Sequence, residues 1–265
     1  MASAARAAIG LAAAVFTLLV AVPVAAIFAR TLPSGAVLQA LGRPVVLEAL
    51  RLSVFTTLLT VVLTVLFGTP LAWLLARREF PGRTALDGLL ELPIVLPPAV
   101  AGVGLLMAFG RRGLFGPALE SLGLTVGFTT TAVVLAQTFV AGPFYVRAAR
   151  AGFLAVDREL EIVAYTLSVS PWATFWRVTV PVAFPTLLGG LVTCWARALG
   201  EFGATIMFAG SFPGRTQTMP LAIYAALESD LDAALALSAI LVVVSFVALV
   251  GLRLAFRRLG SGVHA

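Results

Sequence analysis

The chain has 265 residues, of which 60% are hydrophobic and 11% charged, against about 45–50% apolar and about 25% charged in soluble globular domains. With a mean hydropathy of +1.05, this excludes an ordinary soluble domain, and at roughly 20 residues per membrane-crossing helix the length holds about six spans with no room for a soluble domain of normal size. The net charge of +6 comes from 18 positive residues, all Arg, against 12 acidic ones, and beside membrane spans it reflects retained Arg rather than nucleic-acid binding.

Hydropathy places spans at about 8–29, 49–76, 89–109, 128–146, 180–209 and 233–254, which predicts an all-α polytopic membrane protein with a single transmembrane domain over 1–265. The apolar run of the first span exceeds the roughly 7–15 residues of a signal peptide and only Arg6 precedes it, so a retained helix is expected. With the N-terminus inside, eleven Arg fall in inner segments: Arg6, Arg77, Arg78, Arg83, Arg147, Arg150, Arg158, Arg177, Arg253, Arg257 and Arg258. Six fall outside, Arg30, Arg43, Arg51, Arg111, Arg112 and Arg215, and Arg197 lies within the fifth span. Both termini are therefore expected in the cytoplasm. Pro70, Pro93, Pro97, Pro98, Pro143, Pro181 and Pro185 interrupt the apolar runs; such breaks survive in lipid only where neighbours or a wet cavity satisfy the freed backbone groups.

Two connections are longer than hairpins. In the inner one, 157–177, Leu160, Val163, Ala164 and Leu167 recur at i, i+3, i+4 and i+7, the apolar face of a short amphipathic helix. Ser170-Pro171 then reads as an N-cap with Pro at the first helical position, opening a second short helix through Trp172, Phe175 and Trp176. The segment either packs beneath its own bundle or docks a cytoplasmic partner. The outer connection, Ser211 to Asp232, reads as a surface loop with an interfacial helix, with docking of an external protein as the alternative.

Charge at membrane depth is costly and therefore informative. Arg197 and Glu201 stand four apart, so they share a helix face; the spacing fits a neutralising ion pair as well as a role in a pathway with Thr205. Glu91 sits at the inner start of the third span, within reach of water. No Lys is present, which excludes a phosphate-gripping P-loop. The single His (His264, in the tail) and the single Cys (Cys194) leave no parts for a zinc cluster, a His-based triad or an internal disulfide. No cofactor and no enzymatic activity are expected.

The run from Leu160 to Trp172, continuing through Val178, Thr179, Val180 and Pro181, resembles the EAA loop of ABC importer membrane subunits. In register, Ala164 takes the place of the second Ala, and Val178, Val180 and Pro181 fall at the family spacing. Ile162 stands where the family Glu belongs, with Glu161 beside it as the candidate acid, and Ser168 stands in place of the Gly. The stretches Leu92 to Pro98, Arg197 to Gly210 and Gly214 to Tyr224 are similar to molybdate ABC transporter permeases.

That resemblance implies a type I importer permease with a short cytoplasmic coupling helix, an inner-membrane location, a homodimer with the pathway between subunits, two ATPase subunits below and a molybdate-binding protein outside. It places ATPase coupling at Glu161, Ala164, Leu167, Ser168, Pro171, Trp172, Val178 and Pro181, and a pathway or gate at Arg197, Glu201 and Thr205. Tungstate as cargo, a sulfate or thiosulfate permease of the same architecture, and a proton-coupled transporter using Glu91 or Glu201 are the competing readings. No regulatory domain is expected after the sixth span.

Overall fold

The computed structural model describes residues 2–33 and 35–260; His264 lies outside them, as do the side chains of Arg253, Arg257 and Arg258. The described residues form α1 (Ala2–Thr31), α2 (Ala36–Leu41), α3 (Pro44–Arg77), α4 (Arg83–Val95), α5 (Pro98–Phe109), α6 (Gly116–Ser121) and α7 (Thr130–Leu154). There follow α8 (Arg158–Thr166), α9 (Pro171–Thr174), a π-helical turn (Phe175–Thr179), α10 (Val180–Leu199), α11 (Gly203–Ala209), α12 (Met219–Leu227) and α13 (Leu231–Gly260). Five stretches are long and apolar enough to cross a membrane, namely Ala5–Thr31, Pro44–Arg77, Thr130–Leu154, Pro171–Leu199 and Leu231–Gly251.

The expected third span, 89–109, is not one straight helix. It is the bent pair α4 and α5, which meet at 118°. Pro97 and Pro98 carry no N–H to continue the α4 ladder, and Pro97 holds Leu96 extended at φ −64°, ψ 134°. The expected fifth span, 180–209, is corrected at both ends. It begins at Pro171, because the helix opened by Ser170 runs without interruption through the π turn, and α10 stops at Leu199, before the break at Gly200–Phe202 that precedes α11.

The bundle is organised around α7, whose most apolar stretch is 61% buried, whereas that of α1 is 0% buried. One side of α7 packs on α3 and α10, the other on α5 and α11. Small residues allow this: Ala72, Ala76, Ala141, Ala149, Ala183 and Ala198 form one core with Tyr145, Phe153 and Leu187. A β-carbon at Gly190 would come within 2.6 Å of the Ala148 β-carbon, so α10 and α7 are as close as backbones approach. Along α3 a buried stripe of Ser53, Thr57, Thr60 and Thr64 faces α7 and its neighbours; Thr57 returns its hydroxyl to the Ser53 carbonyl (2.7 Å) and Thr60 donates to Gln137 Oε1 (3.2 Å).

The outer connection is not a surface loop. Thr216, Gln217, Thr218 and Met219 are buried, the Met219 N–H donates to Ser53 Oγ at 2.7 Å, and α12 packs against α3 and α13 in a core with Ala49, Ala222 and Leu237. Met219, Leu221 and Ala222 supply the apolar area that makes burial favourable.

Candidate functional site

At one end of the bundle, α8 is assembled from local signals. Asp157 caps it by accepting the Glu159 N–H at 2.9 Å, and Glu159 and Glu161 lie in the first turn, where the helix dipole favours negative charge. Its C-terminus closes as a Schellman motif: Val169 N–H donates to the Ala164 carbonyl and Ser168 N–H to the Tyr165 carbonyl, each at 3.0 Å, with Ser168 at φ +60°. Ser170 then accepts the Ala173 N–H at 3.3 Å and Pro171 opens the next helix.

Only one side of α8 meets the bundle. Ala164 is buried and the Glu161 side chain is 12% exposed, whereas Leu160, Val163 and Leu167 are 47%, 56% and 73% exposed. Of the four apolar residues, Ala164 alone packs on the bundle, and Leu160, Val163 and Leu167 are left open. Trp172 and Trp176 are exposed next to it and stack in a T at 5.6 Å, and Phe175 anchors the π turn against Trp73 of α3 and Phe153 of α7, both at 6.0 Å. Val178 is half-buried and Pro181 exposed.

Glu161 is the polar attachment of this helix. Its Oε1 accepts from Arg77 Nη2 at 3.0 Å and from Thr179 Oγ1 at 2.6 Å, and the same Arg77 nitrogen donates to the Val156 carbonyl at 3.2 Å. The Arg77 side chain is 8% exposed, so loss of either charge would leave its partner desolvated, at a cost of about 3–5 kcal/mol. A second ion pair, Arg150 with Asp87, joins α7 to α4 at this end. Arg77 and Thr179 have no motif that marks them as a pair. The one sequence signal is that an Arg ending an apolar run and an acid in a nearby amphipathic segment fall on the same side of the membrane.

Arg197, Glu201 and Thr205 are brought together where α10 ends. Arg197 Nη1 lies 2.7 Å from Glu201 Oε2, while Glu201 Oε1 accepts the Ala204 N–H at 2.8 Å and so caps α11. The expected pairing across one turn is present although the helix has ended, because the tightened last turn, with the Glu201 N–H on the Ala198 carbonyl at 3.1 Å, keeps the carboxylate over Arg197. Glu201 and Thr205 are buried, at 1% and 0% exposure, against α5 and α7, whereas Arg197 is partly open. Beyond the exposed Val182, the exposed positions of α10 running up to it are Pro185, Thr186, Gly189, Thr193 and Ala196, small or polar residues where α1 exposes Val, Leu and Phe. Glu91 is exposed. A cavity of about 390 Å³ lies elsewhere, at the opposite end of the molecule from α8, with Arg111, Glu120 and Arg215 among its lining.

Residues 68–261 match the family described as binding-protein-dependent transport system inner membrane component. The molybdenum transport system permease protein ModB of Mycobacterium tuberculosis (strain ATCC 25618 / H37Rv) is 48% identical over 203 residues, 77% of this chain and 77% of the relative. The probable sulfate transport system permease protein cysT of Zygnema circumcarinatum is 34% identical over 232 residues, 86% of this chain and 81% of that relative. Among solved structures, the fold matches a bacterial alginate ABC transporter in complex with an alginate pentasaccharide-bound periplasmic protein, with a TM-score of 0.75 and 15% identity, over 94% of this chain and 93% of that one.

Proposed function

This chain belongs to the family of binding-protein-dependent transport system inner membrane components, and from that premise we propose that it is the membrane-spanning subunit of an ATP-driven molybdate importer. It works as a homodimer with two cytoplasmic ATPase subunits and an external binding protein. The observation that carries the reading is the open apolar face of α8, Leu160, Val163 and Leu167, at the Arg-rich end of a chain with no Lys to hold a nucleotide phosphate. A partner docks there and supplies the ATP chemistry, and both termini lie on that cytoplasmic side. Tungstate is the alternative cargo for the same pathway.

Transport follows from alternating access. Nucleotide-driven closure of the two ATPases moves the two α8 segments, and the bundles rock between inward-open and outward-open states. The small and polar face of α10 lines the pathway against the second copy, where backbones approach closely and water is admitted. Arg197, paired with Glu201 yet partly open, draws a divalent anion without trapping it. Selection of the anion belongs mainly to the external binding protein.

Molybdate is favoured over sulfate because the molybdenum-transport relative is more similar to this chain than the sulfate-transport one. Uptake of radiolabelled molybdate in cells with and without the gene tests the assignment. Loss of high-affinity uptake that tungstate, but not sulfate, competes for is the expected result. Intact molybdate uptake with lost sulfate uptake would transfer the same architecture to sulfate.

A further inference from the structure

We infer that Glu161 is a positioning residue for energy coupling, a brace that ties α8 at once to the end of α3 through Arg77 and to the last residue of the π turn through Thr179. The inference rests on the reading of α8 as the ATPase-docking helix and names the residues through which its motion enters the spans.

Three observations carry it. First, α8 touches the rest of the chain sparsely, since its apolar face is open and its described side-chain hydrogen bonds into the bundle converge on one oxygen, Glu161 Oε1. A joint made at a single atom transmits displacement to both partners together. Second, its two partners belong to different spans that both pack on α7: Arg77 closes α3, and Thr179 leads directly into α10. Third, Thr179 ends a five-residue π turn. A π turn holds one residue more than an α-helical turn, so its conversion would rotate the preceding segment by about 100° relative to α10. Held by Glu161 at one end and by Phe175 against Trp73 and Phe153 at the other, that turn is the compliant element between docking helix and pathway helix.

The Glu161 carboxylate is therefore engaged within its own chain. Ile162, at the neighbouring position, points outward and is 57% exposed, as expected for residues about 100° apart on a helix.

The test uses the whole complex, with ATPase subunits and binding protein, reconstituted in liposomes. It reads stimulation of ATP hydrolysis by the loaded binding protein, together with amide exchange over residues 158–166. Glu161→Gln should leave the complex assembled but lower the stimulation by about tenfold, a usual size for a coupling between sites, and speed exchange across α8. Thr179→Ala should give a partial loss that Thr179→Ser restores, and the exchanged pair R77E/E161R should recover more stimulation than either single variant. Wild-type stimulation and exchange in both Glu161→Gln and Thr179→Ala would overturn the brace. Should Glu161→Gln fail to assemble, the Thr179 pair decides alone: loss with Ala and recovery with Ser supports it, wild-type behaviour in both removes it. A wild-type complex whose ATPase responds to the binding protein but which accumulates no molybdate would sink the cargo assignment and leave the variant comparison intact.

Discussion

At the scale of single residues, Ser168 shows what a family motif means physically. The register places it where the EAA loop has Gly, and its φ of +60° explains why Gly is favoured there: the Schellman closure of α8 needs a left-handed residue, and a side chain in that region costs roughly 1–2 kcal/mol. Gly in turn loses about 0.5–1 kcal/mol of backbone entropy. Ser168→Gly should therefore raise the thermal unfolding midpoint of the purified protein slightly, and Ser168→Val should lower it by more. Glu161 teaches the opposite lesson. Adjacency to the family Glu position is legible in sequence, yet one step along a helix turns a side chain from the outward-facing, exposed side to the bundle-facing side. Only the fold reveals that its partners are Arg77 and Thr179, which are 84 and 18 residues away.

At the scale of elements, α8 is legible because its cues are local: the Asp157 cap, the i, i+3, i+4, i+7 pattern and the Ser170-Pro171 start of the next helix. Its apolar face is left open by the bundle, so a charge placed there should act on a partner rather than on folding. Leu167→Asp is expected to abolish copurification of the ATPase while membrane insertion and yield stay unchanged; unaltered copurification would argue against docking at this face. Other elements resisted reading. The bend between α4 and α5 follows from Pro97 and Pro98, but a hydropathy window averages across a 118° turn because it sees polarity and not direction. The π turn has no composition signal, since it is set by where Phe175 and Thr179 find partners.

At the scale of the molecule, the ends of the bundle segregate as alternating spans require. Arg77 pairs with Glu161 and Arg150 with Asp87 at one end, while Ser53 meets Met219 and Thr130 meets Arg215 at the other. Cys194, the single cysteine, is 1% exposed, which makes introduced cysteines clean reporters of sidedness. A cysteine at Leu167 should react with an impermeant thiol reagent only from the cytoplasmic side, and one at Leu114, 80% exposed in the loop after α5, only from outside. The reverse labelling would invert the orientation drawn from the eleven inner and six outer Arg.

The sequence by itself determined that the chain is a multi-pass membrane protein of apolar helices, that residues 157–177 hold a short amphipathic helix followed by a second helix start, and that Arg197 and Glu201 share one helix face. Each of these depends on composition or on neighbours within about one helical turn, which is the range over which side-chain polarity and capping act. Tertiary structure alone decided that α7 is the centre, that Thr216 to Met219, Leu221 and Ala222 are buried rather than surface, that α4 and α5 fold back on each other, and that Glu161 finds Arg77 and Thr179. Those outcomes turn on which distant backbones have small enough residues to approach and which buried polar atoms find partners, and both are properties of pairs of segments that no single stretch of chain contains.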